Sequence, residues 1–178
     1  MQIHKAAKRL FLLCITLIAT ALGGAVAARE TSVIGEMGGF HVLFALSSDS
    51  ADVLAKAWQA PRTTPFWFKV LDADAFPAGD KFTLFFLVSG MKATNGKAKV
   101  QCDVSVTFSN GTRQSVDAGI CYDSKMNGPK AALYISRVWT LGFPADLKGE
   151  EVVFNAVVTD VIGNASVPLE MKIQLTGR

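Results

Sequence analysis

The sequence predicts an all-β fold, an antiparallel sandwich of seven to eight strands with one short helix near the start of the mature chain. Three observations carry this. After residue 39 apolar residues recur with a period of two. Runs of Gly, Pro, Asn and Asp separate the strand patterns at roughly 8 to 15 residue spacing, and strand patterns do not alternate with helical ones.

The first 28 residues stand apart from that pattern. Residues 1–9 are basic, residues 10–22 (LFLLCITLIATAL) are an almost unbroken apolar run, and Ala25-Val26-Ala27 offers a small-x-small cleavage pattern. This order is that of a secretory signal peptide removed after Ala27 or Ala28. An apolar run of about 13 residues is short of the roughly 20 that span a bilayer, so no transmembrane anchor is expected after cleavage. Cys14 lies inside the run behind Leu12-Leu13, which argues against a lipid-anchored variant. Location is therefore expected to be periplasmic or extracellular.

Removing this segment changes the charge. The 178 residues hold 18 basic and 15 acidic groups, but Lys5, Lys8 and Arg9 all lie in the first 28, where there is no acid. The remainder balances 15 against 15. A neutral chain of this length, apolar enough to bury a core, is neither a basic nucleic-acid binder nor a disordered segment. Residues 29–65 read as an N-terminal strand and helix and 66–178 as the sandwich, the two forming one domain.

The first strand is residues 40–46, where Phe40, Val42, Phe44 and Leu46 alternate with His41, Leu43 and Ala45. Residues 49–60 form the helix: Asp49 can cap it, Val53, Leu54, Ala57 and Trp58 fall at helical spacing, and Pro61 stops it. Residues 66–71 (FWFKVL) and 82–89 (FTLFFLVS) are aromatic and β-branched strands on either side of a Pro-Ala-Gly-Asp turn. Residues 99–108 place Val100, Cys102, Val104, Val106 and Phe108 on one face and Gln101, Asp103, Ser105 and Thr107 on the other. Asn110-Gly111 turns that strand back into residues 113–122. Residues 132–141, 151–159 and 167–175 complete the set, with Pro168 placing the last strand at an edge or beside a bulge.

In an oxidising compartment the two cysteines left after cleavage, Cys102 and Cys121, are expected to form a disulfide. The hairpin then has a register conflict. Pairing Val104 and Val106 with Val116, Ala118 and Ile120 turns Cys121 away from Cys102. A bulge near Ala118-Gly119 shifts the phase by one residue and reconciles the two.

The turn motifs support a resemblance. Phe76-Pro77-Ala78-Gly79-Asp80 before a long apolar strand, Ser109-Asn110-Gly111 at a strand end, and Val157-Val158-Thr159-Asp160 with Gly163-Asn164 before a terminal alternating strand make residues 66–176 resemble an immunoglobulin-like sandwich of secreted bacterial proteins. The sequence departs from antibody-type domains in having cysteines only 19 positions apart and no tyrosine two residues before Cys121.

Chemistry-bearing motifs are sparse. His41 is the sole histidine after cleavage and sits in an apolar strand, so no catalytic residues are expected. Asp72, Asp74, Asp80, Asp160 and Asn164 read as turn caps and not calcium ligands, because no twelve-residue ligand loop is present, and neither a metal nor a cofactor is expected. Asn110 and Asn164 lie in glycosylation patterns that coincide with turns. Trp67 is the candidate partner contact, since Phe66 and Phe68 share one strand face and Trp67 takes the other. The expected function is a non-enzymatic exported module that binds a protein or envelope component. An enzyme inhibitor using the loop 123–130 is the alternative, and a pilus or adhesin subunit the next.

Overall fold

The computed structural model describes residues 32–59, 69, 71, 76–126 and 133–176. The expected signal peptide, Trp67, Asp72 and Asp74 lie outside the described residues, as does nearly all of the strand expected over 66–71. Among the described residues there are ten strands, β1 (Ser32–Met37), β2 (Phe40–Ser47), β3 (Phe76–Pro77), β4 (Lys81–Ser89), β5 (Lys97–Phe108), β6 (Arg113–Lys125), β7 (Tyr134–Ile135), β8 (Trp139–Gly142), β9 (Glu151–Asp160) and β10 (Ala165–Thr176), with helix α1 (Ala51–Gln59) after β2.

They form two five-stranded sheets. One runs β1-β2-β4, with β7 and β8 both pairing with β4; the other runs β3-β10-β9-β5-β6. The ladders are antiparallel except β3, which pairs parallel to the end of β10. The sheets pack face to face through alternate residues of β2, β4, β5, β9 and β10, to which β6 adds Cys121. Phe44 and Phe86 from one sheet meet Phe154 and Val158 of the other in one core, and Phe154 stands edge-on to Phe44 and Phe82 at 6.0 and 6.1 Å. Such aromatic contacts contribute about 1 kcal/mol each beyond burial.

The strand total exceeds the expected seven to eight for three local reasons. Residues 32–37 form a hairpin with β2 across Gly38-Gly39, both in the left-handed region; a Gly-Gly pair is a two-residue turn signal, but the preceding run is too weakly apolar to show alternation. Residues 76–77 pair briefly with β10 where a turn was expected. The strand expected over 132–141 is broken at Ser136, which is buried and whose hydroxyl accepts from Phe86 N (3.1 Å) in place of a ladder carbonyl. Arg137 N then turns to the other sheet and donates to Cys121 O (2.8 Å).

The helix begins one turn-residue later than its expected cap. Ser50 provides the cap, its carbonyl taking Leu54 N (3.0 Å) and its hydroxyl Val53 N (3.4 Å), while the Asp49 carboxylate accepts from Lys69 N (2.9 Å). Leu54 and Trp58 face Ala45, Phe85 and Leu87 on the outer face of the first sheet. Val53, at helical spacing with them, is half exposed. This second cluster explains why β4 is buried on both faces and reads as a continuous apolar run.

The sulfurs of Cys102 and Cys121 are at bonding distance, with Cα atoms 5.6 Å apart. The bulge that brings them together is not at Gly119. Gly119 pairs with Cys102, and the unpaired residues are Cys121 itself and Val116, where the β5–β6 register shifts. Two single-residue bulges replace the one expected because the realised register sets Asp117, not Ala118, on the inward face. Residues 123–125 of the proposed inhibitory loop are a continuation of β6, and Met126 N donates to Gly96 O (2.9 Å).

Candidate functional site

The outer faces of the two sheets differ. The first is apolar and carries α1. The second carries more polar side chains, and an open groove of about 440 Å³, polar at its rim and largely apolar in its exposed surface, runs across β9, β5 and β6. The register builds it in rows: Val157, Asp103 and Ala118 form one, and Asn155, Ser105 and Ser115 the next. Arg113 closes one end, donating from Nε to Ser105 Oγ (2.9 Å). Asn155 Nδ2 donates to Thr107 Oγ1 (3.3 Å), and Gln101 Nε2 to both oxygens of Asp103 (3.2 and 3.0 Å). The groove lies beside the Val116 bulge, where an extra residue bends the edge strand and re-aims its side chains.

The lining brings together two carboxylates, Asp103 and Asp117, a guanidinium, two hydroxyls and a primary amide around the apolar Val157 and Ala118, with no histidine, cysteine or lysine among them. Such a set offers fixed donors and acceptors to a polar ligand whose apolar part rests on Val157, which is 41% exposed.

On the inward face of β6 the Asp117 carboxylate accepts from Trp139 Nε1 (2.7 Å) and Arg137 Nη1 (3.1 Å), tying β6 to the strand segment of the other sheet. The indole donor, above all, holds the Asp117 carboxyl below the usual carboxylate range, with Ala118 N and the Arg137 guanidinium adding to it and partial desolvation opposing. This clamp backs the groove, since Asp117 adjoins Ala118 in its wall.

The residues singled out from sequence fall elsewhere. Cys102 and Cys121 face the interior and hold β6 against β5. His41 lies on the outer face of the first sheet opposite Glu36, with Nδ1 3.4 Å from Oε2. Asp160 is buried and does cap a turn: its oxygens accept from Lys92 N (2.7 Å) and Gly163 N (3.0 Å). Asn164 sits in the left-handed region with φ 52°, and Asn110 Oδ1 accepts from Thr112 N (2.8 Å), so both asparagines serve their turns. The groove residues Asp103 and Ser105 were legible as outward-facing. Arg113, Ser115 and Asn155 were not linked to them, because the link depends on the β9-β5-β6 order and the Val116 bulge. No protein-family profile matches the chain, and no curated protein matches it.

Proposed function

We propose that the protein is a non-enzymatic exported module of the periplasm or cell surface, an immunoglobulin-like sandwich that works by binding a protein or envelope component. The observation that carries this reading is the groove on the open sheet, where Asp103, Ser105, Arg113, Ser115 and Asn155 surround Val157. Its volume is in the range of ligand sites, and its side chains are positioned by strands rather than loops. The basic, apolar, small-residue order of residues 1–28 supports export, and the bonded pair Cys102–Cys121 suits an oxidising compartment. The packing of two largely antiparallel sheets supports the immunoglobulin-like assignment, with a bridge inside one sheet where antibody-type domains bridge two.

The test is affinity capture from envelope extracts with the wild type, an Arg113→Glu/Asn155→Ala variant and Trp67→Ala. Recovery of partners is expected to fall at least about tenfold for the groove variant, a change of roughly 1.4 kcal/mol. Equal recovery by wild type and groove variant removes the groove as the binding site. A selective loss with Trp67→Ala instead moves recognition to that residue.

A further inference from the structure

One end of the sandwich gathers apolar and cationic side chains that the core does not use. The β1–β2 turn, the β4–β5 connection, the β9–β10 turn and the last residues of β6 meet there. His41 pairs with Ser89, Lys99 O accepts from Val161 N (3.0 Å), Asp160 Oδ2 accepts from Lys92 N (2.7 Å), and Lys97 pairs with Lys125. That end presents Met37 (49% exposed), Val161 (42%) and Ile162 (37%), half of the six most exposed large apolar residues among those described. Around them stand Lys92, Lys97, Lys99 and Lys125, with Glu36 and Asp123 as the exposed carboxylates.

Folding alone does not ask for this arrangement. Val161-Ile162 occupy turn positions where Asn, Asp or Gly is the local preference. Lys97 lies directly opposite Lys125, a like-charge pairing that weakens a ladder, and of the two only Lys97 has an ion pair among the described residues, with Asp123 at 2.8 Å. The apolar tip is also held firmly. Buried Asp160 fixes Lys92 N and Gly163 N with its two oxygens. Thr94 and Lys97 exchange two main-chain hydrogen bonds of 3.0 Å across Asn95-Gly96, both with positive φ, the geometry of a type I′ turn.

We propose that this end docks on an anionic phospholipid surface, with Met37, Val161 and Ile162 entering the boundary between headgroups and acyl chains and the four lysines meeting the phosphates. The partner chemistry follows from shape and charge together. The apolar side chains are carried on separate turns, an arrangement around which a fluid layer moulds, and long ammonium side chains keep their heads in the phosphate layer while their stems cover apolar surface. The proposal rests on the surface-binding reading above and assigns the module a membrane to bind from, leaving the groove on the open sheet accessible.

The test uses the full chain in a Cys14→Ser background, labelled with the environment-sensitive fluorophore NBD at Ile162→Cys or, at the opposite end, Asn110→Cys. Vesicles of phosphatidylglycerol and phosphatidylcholine are expected to raise and blue-shift emission severalfold at position 162 and to leave position 110 unchanged. Neutralising Lys92, Lys99 and Lys125 as Lys→Gln, with an unchanged circular dichroism melt, is expected to weaken vesicle partitioning by about a hundredfold, since each lysine near such a surface contributes about fivefold. Silence at position 162, an equal response at 110, or the same response to phosphatidylcholine alone overturns the proposal. Because the readout is local, vesicle binding through residues 1–31 leaves position 162 silent. Silence at 162 with capture still dependent on Arg113 and Asn155 overturns membrane docking alone, while equal capture by the wild type and the Arg113→Glu/Asn155→Ala variant overturns the reading beneath it.

Discussion

The two flanks of the sandwich are closed by opposite means. On one, β1 crosses β10 with no main-chain hydrogen bond between them among the described residues; Gly35 lies so close that a Cβ there overlaps the Val167 and Leu169 side chains. On the other, closure is polar, and a covalent tie within one sheet anchors the strand that makes it. Arg137 N reaches Cys121 O, Asp117 holds Trp139 and Arg137, and the Cys102–Cys121 bond pins the edge strand β6 to β5. The first flank depends on shape, so conditions that spare apolar packing spare it. The second depends on redox state and ionisation, and it is the flank that backs the groove. The two bulges on β6 also blunt that edge against pairing with another chain.

Breaking the covalent tie is the strongest way to separate the flanks. The bonded cysteines are 19 positions apart, and closing a loop of that order in the unfolded chain stabilises by about 3 kcal/mol. A Cys102→Ala/Cys121→Ala variant is expected to lose that amount in denaturant unfolding. Amide exchange should accelerate in β6 and remain slow in β1 and β2. Uniform acceleration across both sheets contradicts the division into independent flanks. Next in size is Gly35→Val, which forces side-chain volume into the β1–β10 contact and is expected to cost about 1–3 kcal/mol. Its effect should be the same in oxidised and reduced protein. An effect that grows on reduction couples the flanks through the core.

The contrast also explains what the sequence made legible. Period-two alternation marked β5, β9 and β10 because one face of each is buried and the other wetter, it marked β2 because its inward face carries the larger apolar side chains, and helical spacing of Leu54 and Trp58 marked the short helix. Alternation cannot report a residue that belongs to no ladder. Val116 and Cys121 are such residues, and the apolar pattern Val116, Ala118, Ile120 suggested an inward face on which Asp117 in fact lies. The register was settled by long-range polar groups, Trp139 and Arg137, that sit 22 and 20 positions away. The groove was illegible for the same reason: its rows combine three strands whose order is a tertiary fact. Likewise Val161-Ile162 read only as part of a turn in one dimension and become an exposed apolar tip once buried Asp160 holds the chain beneath them.

The smallest effect concerns the carboxylate on the polar flank and sharpens the comparison most. Asp117 is ionised more readily in the folded protein than in the unfolded chain, where its pKa is close to 3.8. Its contribution is therefore present above about pH 4 and disappears as pH falls through the lowered folded value. Asp117→Asn keeps an acceptor oxygen but removes the charge, and is expected to cost about 1 kcal/mol at neutral pH, at the low end for bonds to a charged group because the side chain is a quarter exposed. Between pH 5 and 2 the wild type should lose stability that the variant has already lost, so the two unfolding curves converge in acid. In the Gly35→Val protein, whose defect lies on the apolar flank, the offset from wild type should stay constant over the same range. Convergence of Gly35→Val with wild type in acid, or a constant offset for Asp117→Asn, shows that the charge at Asp117 is not what closes the flank behind the groove.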